Sequence, residues 1–83
     1  MKLVMDVKIL GGLDGEIDEL VTRGVAFAEE RYGEVDTCTI VDVEDSGDMA
    51  WVILEILTRS NLKLGLDVTK DDGDIIVTPV YGA

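Results

Sequence analysis

Between Ile17 and Tyr32 the residues Ile17, Leu20, Val21, Gly24, Val25, Ala28 and Tyr32 recur at steps of three and four, with Phe27 at the margin. Residues at that spacing share one side of an α-helix, so the stretch predicts an amphipathic helix of about four turns. This element constrains the rest of the chain. A helix with one apolar stripe must bury it against something else, and 83 residues have room for about one core. Asp14 is placed to cap the first turn, Glu16, Asp18 and Glu19 suit the positive end of the helix dipole, and Gly33 suits a left-handed stop. Gly24 lies inside the stripe, where glycine costs ~1 kcal/mol of helix propensity relative to alanine. Its presence there predicts a close approach of the helix backbone to its packing partner.

The remaining patterns have a period of two. Leu3, Met5, Val7 and Ile9 alternate with charged residues, apart from Val4, and predict a first strand ending near Leu10. Gly11 to Gly15 reads as a loop. Val35 to Val43 is rich in β-branched residues and runs into the polar turn Glu44-Asp45-Ser46-Gly47-Asp48. Met49 to Leu57 is apolar apart from Glu55. As a helix it would be hydrophobic all round and barely two turns long, so a strand is the better reading. After a turn at 58–61, Leu62, Leu64, Leu66 and Val68 alternate with polar or small residues. Lys70-Asp71-Asp72-Gly73 then returns the chain into Asp74 to Thr78 as a hairpin. Pro79 has no amide to donate, so the last strand should stop there or lie at an edge.

The expected fold is therefore α+β, a single domain over 1–83, with one helix on a mainly antiparallel sheet in the order β-α-β-β-β-β. The alternative, with residues 49–58 helical, is βαβαββ. One helix of ~10–12 Å diameter covers only two or three strands spaced ~4.8 Å apart. The two-faced run at Met49 to Leu57 thus predicts a second buried sheet face, and with it a homodimer or larger homo-oligomer through residues such as Trp51 and Ile53.

Function classes narrow by composition. Eighteen acids against seven bases give a net charge of −11, a field that repels nucleic-acid phosphates and anionic lipid and attracts basic protein surfaces. The same charge would also serve solubility or life at high salt. A hydrophobic content of 47% separates the chain from disordered acidic tracts. The start of the chain is too short and too charged for a signal peptide, and no run approaches a membrane span. A single cysteine closes no disulfide. A cytoplasmic location is expected.

No histidine is present, which removes the commonest general base and transition-metal ligand. Cys38 has no activating neighbour and reads as an inert buried thiol. The Gly11–Gly15 loop matches neither nucleotide-binding glycine pattern. The acidic turns Asp42/Glu44/Asp45/Asp48 and Asp71/Asp72/Asp74 lack the spacing of a calcium loop. No enzyme activity, metal or cofactor is expected. What remains is the distribution of carboxylates: Glu16, Asp18, Glu19, Glu29 and Glu30 off the helix stripe, and Asp42, Glu44, Asp45 and Asp48 around the first hairpin. Carboxylates on an exposed face can imitate the phosphates of duplex DNA, one charge per ~1.7 Å of axis, so an acidic inhibitor of a basic, nucleic-acid-binding surface is the leading expectation. The opening strand, long helix and hairpin also resemble, in order alone, dodecin-type modules. That resemblance implies an oligomeric shell holding flat cofactors, with Trp51 as the stacking residue. The extra hairpin departs from it.

Overall fold

The helical stripe forms α1, Gly15–Tyr32, in a computed structural model that describes residues 2–5, 15–46 and 48–82. Around it lie β1 (Lys2–Met5), β2 (Val35–Asp45), β3 (Met49–Thr58), β4 (Lys63–Asp71) and β5 (Asp74–Tyr81). They make one sheet in the order β1-β2-β3-β4-β5. β1 runs parallel to β2 and the other neighbours are antiparallel. The element order β-α-β-β-β-β and the α+β class are those expected, and the helical alternative for residues 49–58 is excluded, because Met49–Thr58 is strand throughout. Asp14, the loop at 11–14 and the extension of the first strand to Leu10 lie outside the described residues.

One side of the sheet is packed and dry. Ile17, Leu20 and Ala28 of α1 meet Cys38 and Ile40 of β2, Val52, Leu54 and Ile56 of β3, and Leu64, Leu66 and Val68 of β4, all at most 1% exposed. Burying a Val, Leu or Ile side chain stabilises by about 1.5–3 kcal/mol, and in folded proteins most helical stability comes from packing of an amphipathic face. Tertiary burial of the stripe therefore holds α1 together, more than its own propensity does.

The glycine in the stripe behaves as anticipated. A Cβ at Gly24 would lie 2.5 Å from Leu54 Cδ1 and 3.0 Å from Val68 Cγ2, so any larger residue would have to push these core side chains aside for the helix to settle as it does over β3 and β4. Gly33 ends the helix with φ +90°, its amide donating to Glu29 O at 3.1 Å. Arg31 stacks on Phe27 at 4.5 Å from the ring centre.

The turns follow local chemistry. Asp72 and Gly73 both have positive φ, the conformation a two-residue hairpin needs to match strand twist. At the opposite end Asn61 is left-handed and the Thr58 hydroxyl accepts the Leu62 amide at 3.0 Å, giving a buried polar side chain a partner. Of the two outcomes expected at Pro79, the edge position is the one observed. The strand does not stop there but pairs on to Tyr81, with Pro79 opposite Leu66 and a register shift before Tyr81 opposite Gly65. The edge position of β5 makes this tolerable, since one side of an edge strand has no ladder to donate into.

Candidate docking face

Along β3, side chains alternate across the sheet. Ala50, Val52, Leu54, Ile56 and Thr58 point toward α1 and are buried, while Trp51, Ile53, Glu55 and Leu57 point away and are half-buried. The strand thus presents apolar side chains on both faces, and none of the described residues lies over the second one. Its layout follows from register, because directly opposed residues in antiparallel strands share a face. In sequence from one end, the cross-strand rows are Glu44–Trp51–Thr69–Ile76, then Asp42–Ile53–Asp67–Thr78, then Thr39–Glu55–Gly65–Tyr81, and last Thr37–Leu57–Lys63. The shift between Ile40 and Asp42 makes room for Val41 and thereby aligns Asp42 and Glu44 with the open face.

The two halves of this face differ chemically. In the half near the β3–β4 turn the polar groups satisfy one another. The Tyr81 hydroxyl donates to Glu55 Oε2 at 2.7 Å, and Lys63 Nζ lies 3.4 Å from Glu55 Oε1. The Tyr81 ring lies directly on Gly65, where any Cβ would collide with it. The Tyr81 hydroxyl and the Lys63 ammonium hold the Glu55 carboxyl below the usual carboxylate range, and the same bond raises Tyr81. Beside this knot a shallow hollow of about 200 Å³ is lined by Thr37, Thr39, Glu55, Leu57 and Lys63.

In the other half Trp51 and Ile53 form an apolar strip flanked by carboxylates. Asp42 and Glu44 lie on the β2 side and Asp67 on the β4 side. Two of these acids are held in place. Asp42 Oδ1 accepts the Val43 amide at 2.9 Å, and Asp67 Oδ1 accepts the Thr69 hydroxyl at 2.7 Å. Exposed apolar side chains continue the strip, with Ile76 at 57% and Met49 at 42%. No described lysine or arginine falls on this half, since Lys63 belongs to the other end and Lys70 sits opposite Ala50 on the helix side.

The remaining expected residues fall elsewhere. Glu16 and Glu19 bracket Lys70, with Nζ–O distances of 3.6 and 3.9 Å, so Lys70 offsets part of their charge and Glu16 is half-buried. Asp18, Glu29 and Glu30 are exposed. On the outer arc of α1, Asp18 and Glu29, like Glu19 and Glu30, are eleven residues apart, about 16 Å at 1.5 Å per residue, with Arg23 between them. The helix acids thus make two end groups rather than a continuous track. Asp45 and Asp48 sit at the β2–β3 turn, beside the β4–β5 turn that carries Asp71, Asp72 and Asp74, because Met49 pairs with Asp71. The start of α1 is at this end too, as its contact with Lys70 requires. One end of the molecule therefore gathers the helix-start acids and both acidic turns around Lys70. The other end mixes Glu34, Asp36 and Glu55 with Arg31, Arg59 and Lys63, including the pair Arg59–Glu34.

Cys38 is buried, and burial pushes its thiol up to about 11, the behaviour of a packing residue. Among the described residues no cluster of acids or cysteine is arranged to hold a metal ion, and no described helix is long and apolar enough to cross a membrane. Sequence reasoning overlooked Asp67 and Tyr81. Asp67 was legible, since it falls between Leu66 and Val68 in an alternating strand. Tyr81 was not, because its position depends on the register shift beyond Pro79. No known protein family, curated protein or solved structure matches the chain.

Proposed function

We propose that the chain is a non-enzymatic acidic binding protein of the cytoplasm that occupies a basic surface on a protein partner, as an inhibitor does when it stands in for nucleic acid. The observation that carries this reading is the uneven charge. Carboxylates from the α1 start and from the β2–β3 and β4–β5 turns converge at one end of the sheet around Lys70. A concentrated field of one sign speeds encounter with a surface of the other sign and weakens as salt shortens the Debye length. The acid groups of α1 alone, separated by about 16 Å, support imitation of a phosphate track less well than the sheet end does.

The test is affinity for a cationic peptide as a function of salt. Affinity should fall steeply with ionic strength. Neutralising Asp45, Asp48, Asp71 and Asp72 to asparagine should flatten that dependence more than Glu29→Gln with Glu30→Gln does. Equal effects of the two sets, or salt-indifferent affinity, would remove the reading.

A second reading, a homo-oligomeric structural or ligand-holding module, is favoured by the β5 edge. Ile75 to Tyr81 carries no charge, and Ile76, Val80 and Tyr81 are 57%, 59% and 47% exposed. Sedimentation of a monomer at micromolar concentration in both low and high salt would dismiss it.

A further inference from the structure

We infer that the Trp51 half of the open sheet face is an arginine-anchoring surface: a guanidinium from a basic protein partner lies on the Trp51 indole and pairs with Glu44 and Asp42. This rests on the reading of the chain as a binder of basic surfaces and names the place and the side chain through which it binds.

Three observations carry it. First, Trp51 is half-buried on a face that no described part of the chain covers, directly beside Glu44 across the β2–β3 ladder. An aromatic ring with a neighbouring carboxylate is the arrangement that attracts a cation twice, through the ring quadrupole and through the carboxylate. Second, Asp42 and Asp67 flank Ile53 in the next row. They stand two strand spacings apart, about 10 Å, so further cations on either side of an apolar contact would also find partners. Third, no described cation on this half competes for those acids. The opposite half shows what competition looks like, with Glu55 already held by Tyr81 and Lys63.

Charge decides between occupants. A second copy laid face to face would bring the same carboxylates of a chain with net charge −11 against each other, whereas a basic partner neutralises them. Arginine fits better than lysine, because its planar, weakly hydrated guanidinium can stack on an indole while its edge bonds a carboxylate.

The experiment uses nona-arginine and nona-lysine as probes, with Trp51 fluorescence and calorimetry as readouts. Trp51 is the only tryptophan, so any change in emission reports on this site. Nona-arginine should bind tighter than nona-lysine by about two- to thirty-fold, the range expected of cation–π stacking, and should change Trp51 emission. Trp51→Leu should bring nona-arginine down to the nona-lysine affinity and leave nona-lysine binding unchanged. Ile53→Lys, which places a cation between Asp42 and Asp67, should weaken the arginine preference without touching the tryptophan, and circular dichroism confirms that both variants fold. If both peptides bind alike and Trp51 emission does not move, the arginine site is overturned while the charge reading stands. Failure of both peptides to bind at low salt removes both. Self-association that shields Trp51 without peptide overturns the inference in favour of a second copy.

Discussion

β3 carries two sets of side chains one residue out of step, and they have opposite characters. Ala50, Val52, Leu54, Ile56 and Thr58 lie under α1 and are at most 1% exposed, while Trp51, Ile53, Glu55 and Leu57 are only half-covered by neighbours in the sheet. The first set is held by shape and could hardly change without loss of fold. The second mixes aromatic, aliphatic and acidic groups that no packing demand explains. A strand hydrophobic on both sides thus separates the set that α1 covers from a set that no described element covers.

The contrast can be broken most readily by truncation. Leu54→Ala should cost about 2–5 kcal/mol of stability, the range for a fully buried leucine that leaves a cavity, measured as a fall in the urea midpoint at constant slope. Overfilling the same interface should cost less. Gly24→Val drives a side chain into Leu54 and Val68 and should lose about 1–3 kcal/mol. Ile53→Ala, on the open side, should cost under about 1 kcal/mol, near the range of surface substitutions. A loss matching that of Leu54→Ala would mean that the second face is covered in solution.

The smallest effects sharpen the picture without disturbing it. In Tyr81→Phe the Glu55 carboxyl loses the hydroxyl that depresses it, and its titration, followed by NMR, should move up toward ordinary glutamate. The sign follows from linkage. Because the folded state lowers Glu55, its contribution is present above the unfolded value and fades as pH falls through the folded one. Tyr81 is raised, so its contribution is present below the unfolded tyrosine value and is lost as pH rises through the folded one. Screening by solvent keeps both contributions slight. Cys38, raised to about 11, should resist thiol reagents at pH 8 in the native state and react at a rate that tracks unfolding.

Much of this arrangement could be read from the order of residues. The α1 stripe, the alternation in β4 and the Asp72-Gly73 turn each rest on local rules, and residues 49–58 were resolved as strand by length and by apolar character on both sides. The open face was legible only in part. Trp51 and Ile53 stood out as apolar residues on a two-faced strand. Their carboxylate neighbours depend on pairing register, which a bulge at Val41 shifts by one residue, and no local pattern announces that. The split of the α1 acids into two groups follows from helical rise and was legible in their spacing, whereas Lys70 reaching across from β4 to meet two of them depends on the fold.

The shift of register beyond Pro79 has a consequence for how far another strand could pair along β5. Strand β5 presents a neutral outer rim, the kind of border along which chains zip into fibrils once their mutual repulsion is screened. An imino acid and a supernumerary residue near its end interrupt that rim after Thr78, leaving an uncharged regular stretch of only Ile75 to Thr78. Exchanging Pro79 for valine would restore a longer template, and thioflavin fluorescence in concentrated salt would register the vulnerability.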